Sequence, residues 1–369
     1  MNKRTLFILH LPPPVHGSSM VGQYIKDSKI LNDAVEGNFI NLSTSRTVDE
    51  IGKNPLVKIS RYLKIILKVI IKLIKYNPEI VYLAITAKGI GFYKDFPIAL
   101  LAKLFGKRLV LHYHNKGVNL KQHLFVYDLM YRILFKSTKV ILLSERLYVD
   151  VKKYVKKKNV FFCPNGIPYP NFKVKISSKI SKDKVPKLLF LSNLIEGKGV
   201  YVLLEALKIL NFEGLKFQCN FVGGEGDISL SQLNQKINNL NLQNCVSYLG
   251  KKYNDDKHKI FQSSDIFVFP TFYHNECFPL VLLEAMMFGL PVISTNEGGI
   301  PDIVKDGETG FIVEKQKPKQ LAEKIKWFIE NPEKAILVGK KGQEMFFKHY
   351  TLEVFEKRMT HILNQIKCC

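Results

Sequence analysis

Short apolar runs alternate with longer stretches of helical spacing through the first part of the chain, at Leu6 to Leu11, Ile80 to Ile85, Leu109 to Tyr113 and Val140 to Leu143. Runs of that length, separated by helical segments, predict the strands of a doubly wound parallel sheet. A second series begins at Lys187 with LLFLSNL and continues at Phe217 to Val222, Val246 to Leu249, Ile266 to Pro270 and Val292 to Thr295, which predicts a second such sheet. Between the two series, CPNGIPYPNFKVK joins an Asn165-Gly166 turn dipeptide to three prolines and reads as a hinge. Domains are therefore expected over 1–168 and 169–345, with a last segment over 346–369. From about Glu344 to Ile366, residues Phe346, Phe347, Leu352, Phe355, Met359, Ile362 and Ile366 recur at helical spacing and predict one terminal helix.

Composition agrees with two cores. A chain of 369 residues exceeds the usual size of a single core, and 46% hydrophobic with 24% charged residues is a globular composition. No run is long enough for a membrane span. The opening MNKRTLFILHLPPP imitates a secretion signal, but its apolar run is short and ends in prolines, so it reads as a buried first strand. Six cysteines show neither metal-ligand spacing nor disulfide density, which fits a reduced cytosol; the terminal pair Cys368-Cys369 reads as a frayed end.

Charge changes the picture more. Up to Pro170 there are 28 Lys and Arg against 10 Asp and Glu, a surplus of 18, while the remainder has 27 against 22, a surplus of 5. The first half thus carries the positive field and should attract a polyanion. Within it Lys58, Arg61, Lys64, Lys68, Lys72 and Lys75 share a helical face, with Leu63, Ile66, Leu67, Ile70, Ile71 and Ile74 on the others. A cationic amphipathic helix of this kind suits an anionic membrane surface, and the lysines from Lys152 to Lys158 add to it. Nucleic acid is the competing polyanion; aromatics are not interleaved with the basic runs and no nucleic-acid module is recognisable, so no nucleic acid is expected as partner.

The candidate chemistry lies in His274 to Val313, HNECFPLVLLEAMMFGLPVISTNEGGIPDIVKDGETGFIV. Glu276 stands ahead of a short helix that Pro279 opens and Gly289 and Pro291 close, and Glu284 follows eight positions later inside it. These residues, with Gly298, Gly299, Pro301 and Asp306-Gly307 in order behind them, resemble the Glu-x7-Glu signature of the retaining glycosyltransferases of family 4. The resemblance implies the GT-B fold, two Rossmann-like α/β domains facing across a cleft, with the last helix returning to the first domain. It implies that Glu284 holds the ribose of a nucleoside diphosphate sugar and that Glu276 lies beside the donor sugar.

Other segments resemble the same family. In PPPVHGSS, Gly17 matches a loop near the donor phosphates, and Ser18 or Ser19 is expected to cap the next helix. In RLVLHYHNKG, the strand is read as giving His112 and His114 different surroundings, with His114 matching the histidine that faces the donor sugar and His112 structural. FLSNLIEGKG supplies Lys198 for the diphosphate, but Asn193 stands where the family has arginine, and Lys251 or Lys252 is the candidate compensating cation. Phe278, Gly299 and the amides of Leu280 and Val281 complete the donor-binding set. FVGGEGD has Ser229 where a third glycine would make a dinucleotide loop. The expected activity is metal-independent transfer of a sugar, with retention, from a sugar nucleotide that is substrate rather than cofactor. The expected acceptor is a glycan, carried on a lipid, in bacterial surface polysaccharide synthesis at the cytoplasmic face of the cell membrane. A sugar-nucleotide epimerase of the same fold and a basic nucleic-acid-binding protein are the alternatives.

Overall fold

The computed structural model describes residues 4–44, 55–170 and 184–368. The chain forms two compact units, Met1–Gly166 together with Leu352–Cys369, and Ile167–Thr351. The later part of the expected hinge, from Asn171, lies outside the described residues.

The first unit holds a six-stranded parallel sheet of order β2-β1-β3-β4-β5-β6, with β1 Arg4–Leu9, β2 Glu36–Asn41, β3 Ile80–Ile85, β4 Arg108–Tyr113, β5 Lys139–Leu142 and β6 Val160–Phe162. Its helices are α1 Gly17–Asp27, α2 Lys29–Ala34, α3 Pro55–Ile71, α4 Gly89–Leu104, α5 Val118–Lys121, α6 Phe125–Phe135 and α7 Tyr148–Val151. Every residue of β3 is buried, as expected of a central parallel strand covered on both faces. The edges escape the apolar pattern. In β2, EGNFIN, only Ile40 is buried, and β6 is three residues long, so neither reads as a strand in the sequence. A π-helical turn, Lys72–Tyr76, extends α3 until Asn77 leaves the helix in the left-handed region.

The second unit repeats the plan with order β12-β11-β10-β7-β8-β9, from β7 Lys187–Leu191, β8 Gln218–Val222, β9 Val246–Tyr248, β10 Ile266–Phe269, β11 Val292–Thr295 and β12 Gly310–Val313. Its helices are α8 Val200–Phe212, α9 Leu230–Asn239, α10 Asn254–Ser263, α11 Leu280–Met287, α12 Ile300–Ile303, α13 Pro318–Glu330 and α14 Pro332–His349; α15 Leu352–Cys368 follows. The terminal helix predicted from Glu344 is therefore two helices. They part at Tyr350, whose N–H still bonds Phe346 while its carbonyl accepts the Ile167 N–H at 3.0 Å instead of continuing the ladder. Beyond the break α15 packs on α2 in the first unit.

Candidate functional site

Parallel sheets gather their ligand-binding loops at the carboxyl ends of the strands. In the second unit those loops, and the helices α10 and α11, bring the two predicted carboxylates to two lysines. Lys198 ends a 3-10 turn, Glu196–Lys198, after β7, and Gly199 follows with φ +90°. A Cβ at Gly199 would lie 2.3 Å from the Pro270 carbonyl, so glycine lets this turn lie against the end of β10. The Lys198 ammonium thereby reaches the buried Glu276 carboxylate and stands 4.7 Å from the centre of the Tyr273 ring. Gly298, at φ +56°, approaches the same residue from β11: a Cβ there would meet the Glu276 carbonyl at 2.3 Å. Gly299 donates to the Cys277 carbonyl at 2.7 Å and fixes the loop.

Pro279 is the residue before α11, not within its first turn, and Leu280 and Val281 open the helix half-buried. Their N–H groups belong to the first turn, where no intrahelical acceptor exists, and the helix dipole makes that end receptive to an anion. Glu284 lies on the half-exposed face of α11 and is held by Lys257 of α10 at 2.5 Å. Nothing local in the sequence marks Lys257, because a lysine on a polar surface helix looks like any other. The Phe278 ring is buried edge-on to Tyr350, 5.8 Å between centroids, so the protein interior occupies that ring.

Asn193 places its side-chain oxygen on the Gly224 N–H at 3.1 Å. The Lys251 chain lies over the same glycine, so close that a Cβ at Gly224 would meet its Cε at 2.2 Å. Asparagine thus ties β7 to the glycine turn after β8, with a lysine beside it. That turn is tied to the loop after β7, since Asp227 accepts from Glu196 N–H at 2.9 Å, and Ser229 caps α9 in a reciprocal box with Gln232, which accounts for serine rather than a third glycine.

In the first unit the residues after β1 and β4 form a histidine cluster. His16, not Ser18 or Ser19, is the N-cap of α1: its ring accepts the Ser19 N–H while the Ser19 hydroxyl accepts the His16 N–H at 2.9 Å. Gly17 is the first helical residue and has open space around it; the steric demand falls on Gly22, where a Cβ would strike the His10 carbonyl at 2.1 Å. His112 and His114 do not face different surroundings. Two residues apart on an extended chain, they share a side, with ring centroids 4.2 Å apart. The fully buried His112 meets the Tyr82 hydroxyl through Nδ1, and its Nε2 has no hydrogen-bond partner among the described residues. Burial pushes His114 down to about 3, helped by His10 and His16, and pushes His10 down to about 4. Both imidazoles are neutral at physiological pH and can donate or accept one hydrogen bond per nitrogen.

The turn after His114 is fixed by residues that no motif marked. Asp150 accepts the backbone N–H groups of Gly117, Val118 and Asn119 at 2.9 to 3.1 Å, and Asn115 accepts that of Ala87 at 2.7 Å. Asp95 is buried, accepts the Thr86 N–H at 2.8 Å and is pushed up to about 6 by that burial.

The predicted membrane-contact cations divide. Lys64, Lys68 and Lys75 are exposed, Lys58 and Lys72 are half-buried, and Arg61 is spent on the Thr44 carbonyl at 2.9 Å. No helix among the described residues is long and apolar enough to cross a membrane, and no cluster of metal-ligating side chains occurs among them.

Two parallel six-stranded α/β units define the architecture as GT-B. The same fold is seen in HepE of Anabaena in complex with UDP-glucose, which superposes over 99% of this chain and 100% of its own with a TM-score of 0.72 at 17% identity. Residues 172–345 match the family described as Glycosyl transferases group 1. Among curated proteins, the chain is 28% identical over 321 residues to the capsular polysaccharide biosynthesis glycosyltransferase CapM of Staphylococcus aureus, covering 82% of this chain and 80% of CapM. It is 27% identical over 230 residues to the amylovoran biosynthesis glycosyltransferase AmsK of Erwinia amylovora, covering 60% of this chain and 55% of AmsK.

Proposed function

We propose that this protein is a glycosyltransferase of surface polysaccharide synthesis, moving a sugar from a nucleoside diphosphate sugar to a glycan acceptor. One observation carries the reading: Glu276 and Glu284 each meet a lysine at the strand ends of the second unit, inside the segment that matches the group 1 family. Carboxylates so placed accept sugar and ribose hydroxyls, while Lys198 and the first-turn amides of α11 oppose the charge that develops on a departing diphosphate. In this reading Glu284 holds the ribose, and Glu276 with neutral His114 orients the donor sugar. Lys251 serves the diphosphate beside Asn193. Fixed cations and helix dipoles take the place of a divalent metal, and the anomeric configuration is retained. The names of CapM and AmsK support a polysaccharide acceptor. The positive surplus of the first half and the exposed lysines of α3 support a lipid-linked one, presented at an anionic membrane on the cytoplasmic side.

Calorimetric titration with a panel of nucleoside diphosphate sugars, beginning with UDP-sugars and run with and without chelator, tests the donor. Heat with at least one donor, unchanged by chelator, is expected; silence across the panel overturns the reading. Incubating each bound donor alone, and following any isomer formed, separates transfer from epimerisation. The anomeric proton of the transfer product tests retention.

A further inference from the structure

Three helices of the first unit begin with an apolar side chain that is largely exposed: Leu56 on α3 is 80% exposed, Ile90 on α4 80%, and Phe125 on α6 82%. Each is the first or second residue of its helix. Side chains of this size and type belong inside, and exposed apolar side chains gathered along one edge mark a surface that meets something. The three helices are neighbours, since α4 packs against both α3 and α6. They connect strands that run on in one direction through β2, β3, β4 and β5, so right-handed crossovers put them on one face of the sheet. Their amino ends lie at the carboxyl ends of the strands, the rim that also carries His114.

The apolar character continues down two of the helices. On α3 and the π-helical turn that extends it, Ile65, Val69 and Leu73 turn inward, while Ile59, Leu63, Leu67 and Ile74 form a separate exposed stripe. On α6 the exposed face is Val126, Leu129 and Ile133, beside Arg132 and Lys136. Charge identifies the occupant. Residues 55–78 contain six cations and no acid, and the one acid of α6, Asp128, is already held by Arg132 and Lys153 at 2.6 Å each. Three helix amino ends add positive dipole to the same rim. A second copy of the chain would bring equal positive charge against it. An anionic bilayer offers both what the apolar tips need and what the cations need.

We infer that the amino-terminal turns of α3, α4 and α6 form an insertion rim that seats Leu56, Ile90 and Phe125 among the acyl chains of an anionic membrane, with the flanking lysines at the headgroups. The inference rests on the membrane part of the proposed function and extends it. Contact is by insertion of three tips, not by one cationic helix alone, and it holds the strand-end rim against the surface from which a lipid-linked acceptor would come.

The test uses the full chain and vesicles of equimolar phosphatidylglycerol and phosphatidylcholine, with phosphatidylcholine alone as control. The triple variant Leu56→Ser, Ile90→Ser, Phe125→Ser is expected to fold normally, because the replaced groups are already in water. Its vesicle affinity should fall by on the order of a hundredfold, without recovery at low salt. The variant Lys64→Gln, Lys68→Gln, Lys75→Gln should lose binding chiefly to anionic vesicles. With Trp327 the only native tryptophan, Phe125→Trp should add emission that shifts to the blue on anionic vesicles and is quenched by brominated acyl chains. Wild-type protein that ignores the vesicles, vesicle-bound Phe125→Trp with water-exposed emission, or a dimer that the serine variant dissociates would each overturn the inference. Donor titration of the serine variant reads the glycosyltransferase proposal separately: donor heat should be unchanged, and its absence from the wild type would count against the activity alone.

Discussion

Lys257 and Glu284, 27 residues apart in the chain, form an ion pair across α10 and α11, and neither side chain is fully exposed. The carboxylate is thus engaged by an ammonium in the protein alone. In the proposed role a ribose diol would have to share or displace that ammonium, and the two residues would then act on the donor as one unit. Glu284→Ala should weaken donor binding by roughly tenfold or more while changing turnover less, and Lys257→Ala should cost about 1 kcal/mol or more of stability by leaving a partly buried carboxylate unopposed. A double-mutant cycle read by donor titration and by denaturant unfolding checks both. Donor affinity untouched in Glu284→Ala would remove the ribose role.

Glu276 stands under different control. Its partner Lys198 comes from the loop after β7 and is fixed over Tyr273, so the pair has little freedom to swing aside. Glu276→Gln keeps the shape and removes the charge. Turnover should fall on the order of a hundredfold with donor affinity nearly kept, the pattern of a group that acts at the reacting centre. Initial rates over a range of donor concentrations settle it, and equal losses in kcat/KM and in affinity would assign Glu276 to ground-state binding instead.

The central strands and the short helix α11 were legible because burial on both faces leaves unbroken apolar runs, and because Pro279 before the helix and Gly289 after it mark its ends. What escaped had the opposite character. Strands β2 and β6 are edges whose residues are half in water, so they lack the apolar run. Lys257 and Asp150 act through long-range contacts that no local spacing announces. On α3 and the turn after it, the apolar positions opposite the cations include Leu63 and Leu67, which are exposed, and only packing shows that Ile65, Val69 and Leu73 are the ones that turn inward. The placement of His112 and His114 could have been read correctly, because residues two apart in a strand share a face.

Asn193 supplies no charge to a diphosphate, but it is engaged, holding the Gly224 N–H beneath the Lys251 chain. Lys251→Met should therefore raise the donor KM by roughly tenfold, whereas the same change at Lys252 should have a small effect. Asn193→Arg should not strengthen donor binding, because the new side chain gives up the Gly224 contact and meets Lys251. Steady-state kinetics on the three variants provides the check, and a gain in affinity from Asn193→Arg would refute the compensation.

Acid should destabilise the first unit through its histidines. Unfolded imidazoles titrate near 6.5, but His10 and His114 are held down to about 4 and about 3, and burial holds His112 well below its ordinary value. As pH falls from about 6.5 toward 4 the unfolded chain takes up protons that the folded one refuses, so stability declines through that window, by about 1 kcal/mol per histidine near pH 5.5. Asp95 runs the other way. Its folded carboxyl, at about 6 against an ordinary 3.8, keeps a proton that the unfolded chain releases, so its penalty grows as pH rises between those values and is partly relieved on acidification. Three imidazoles outweigh one carboxyl, which leaves a net loss of about 2 to 3 kcal/mol between roughly pH 7 and pH 5.5. Denaturant midpoints at the two pH values measure it. His114→Gln should recover about 1 kcal/mol of the loss, and Asp95→Asn should deepen it by removing the relief. Midpoints that coincide at both pH values would show that these side chains admit protons freely in the folded state.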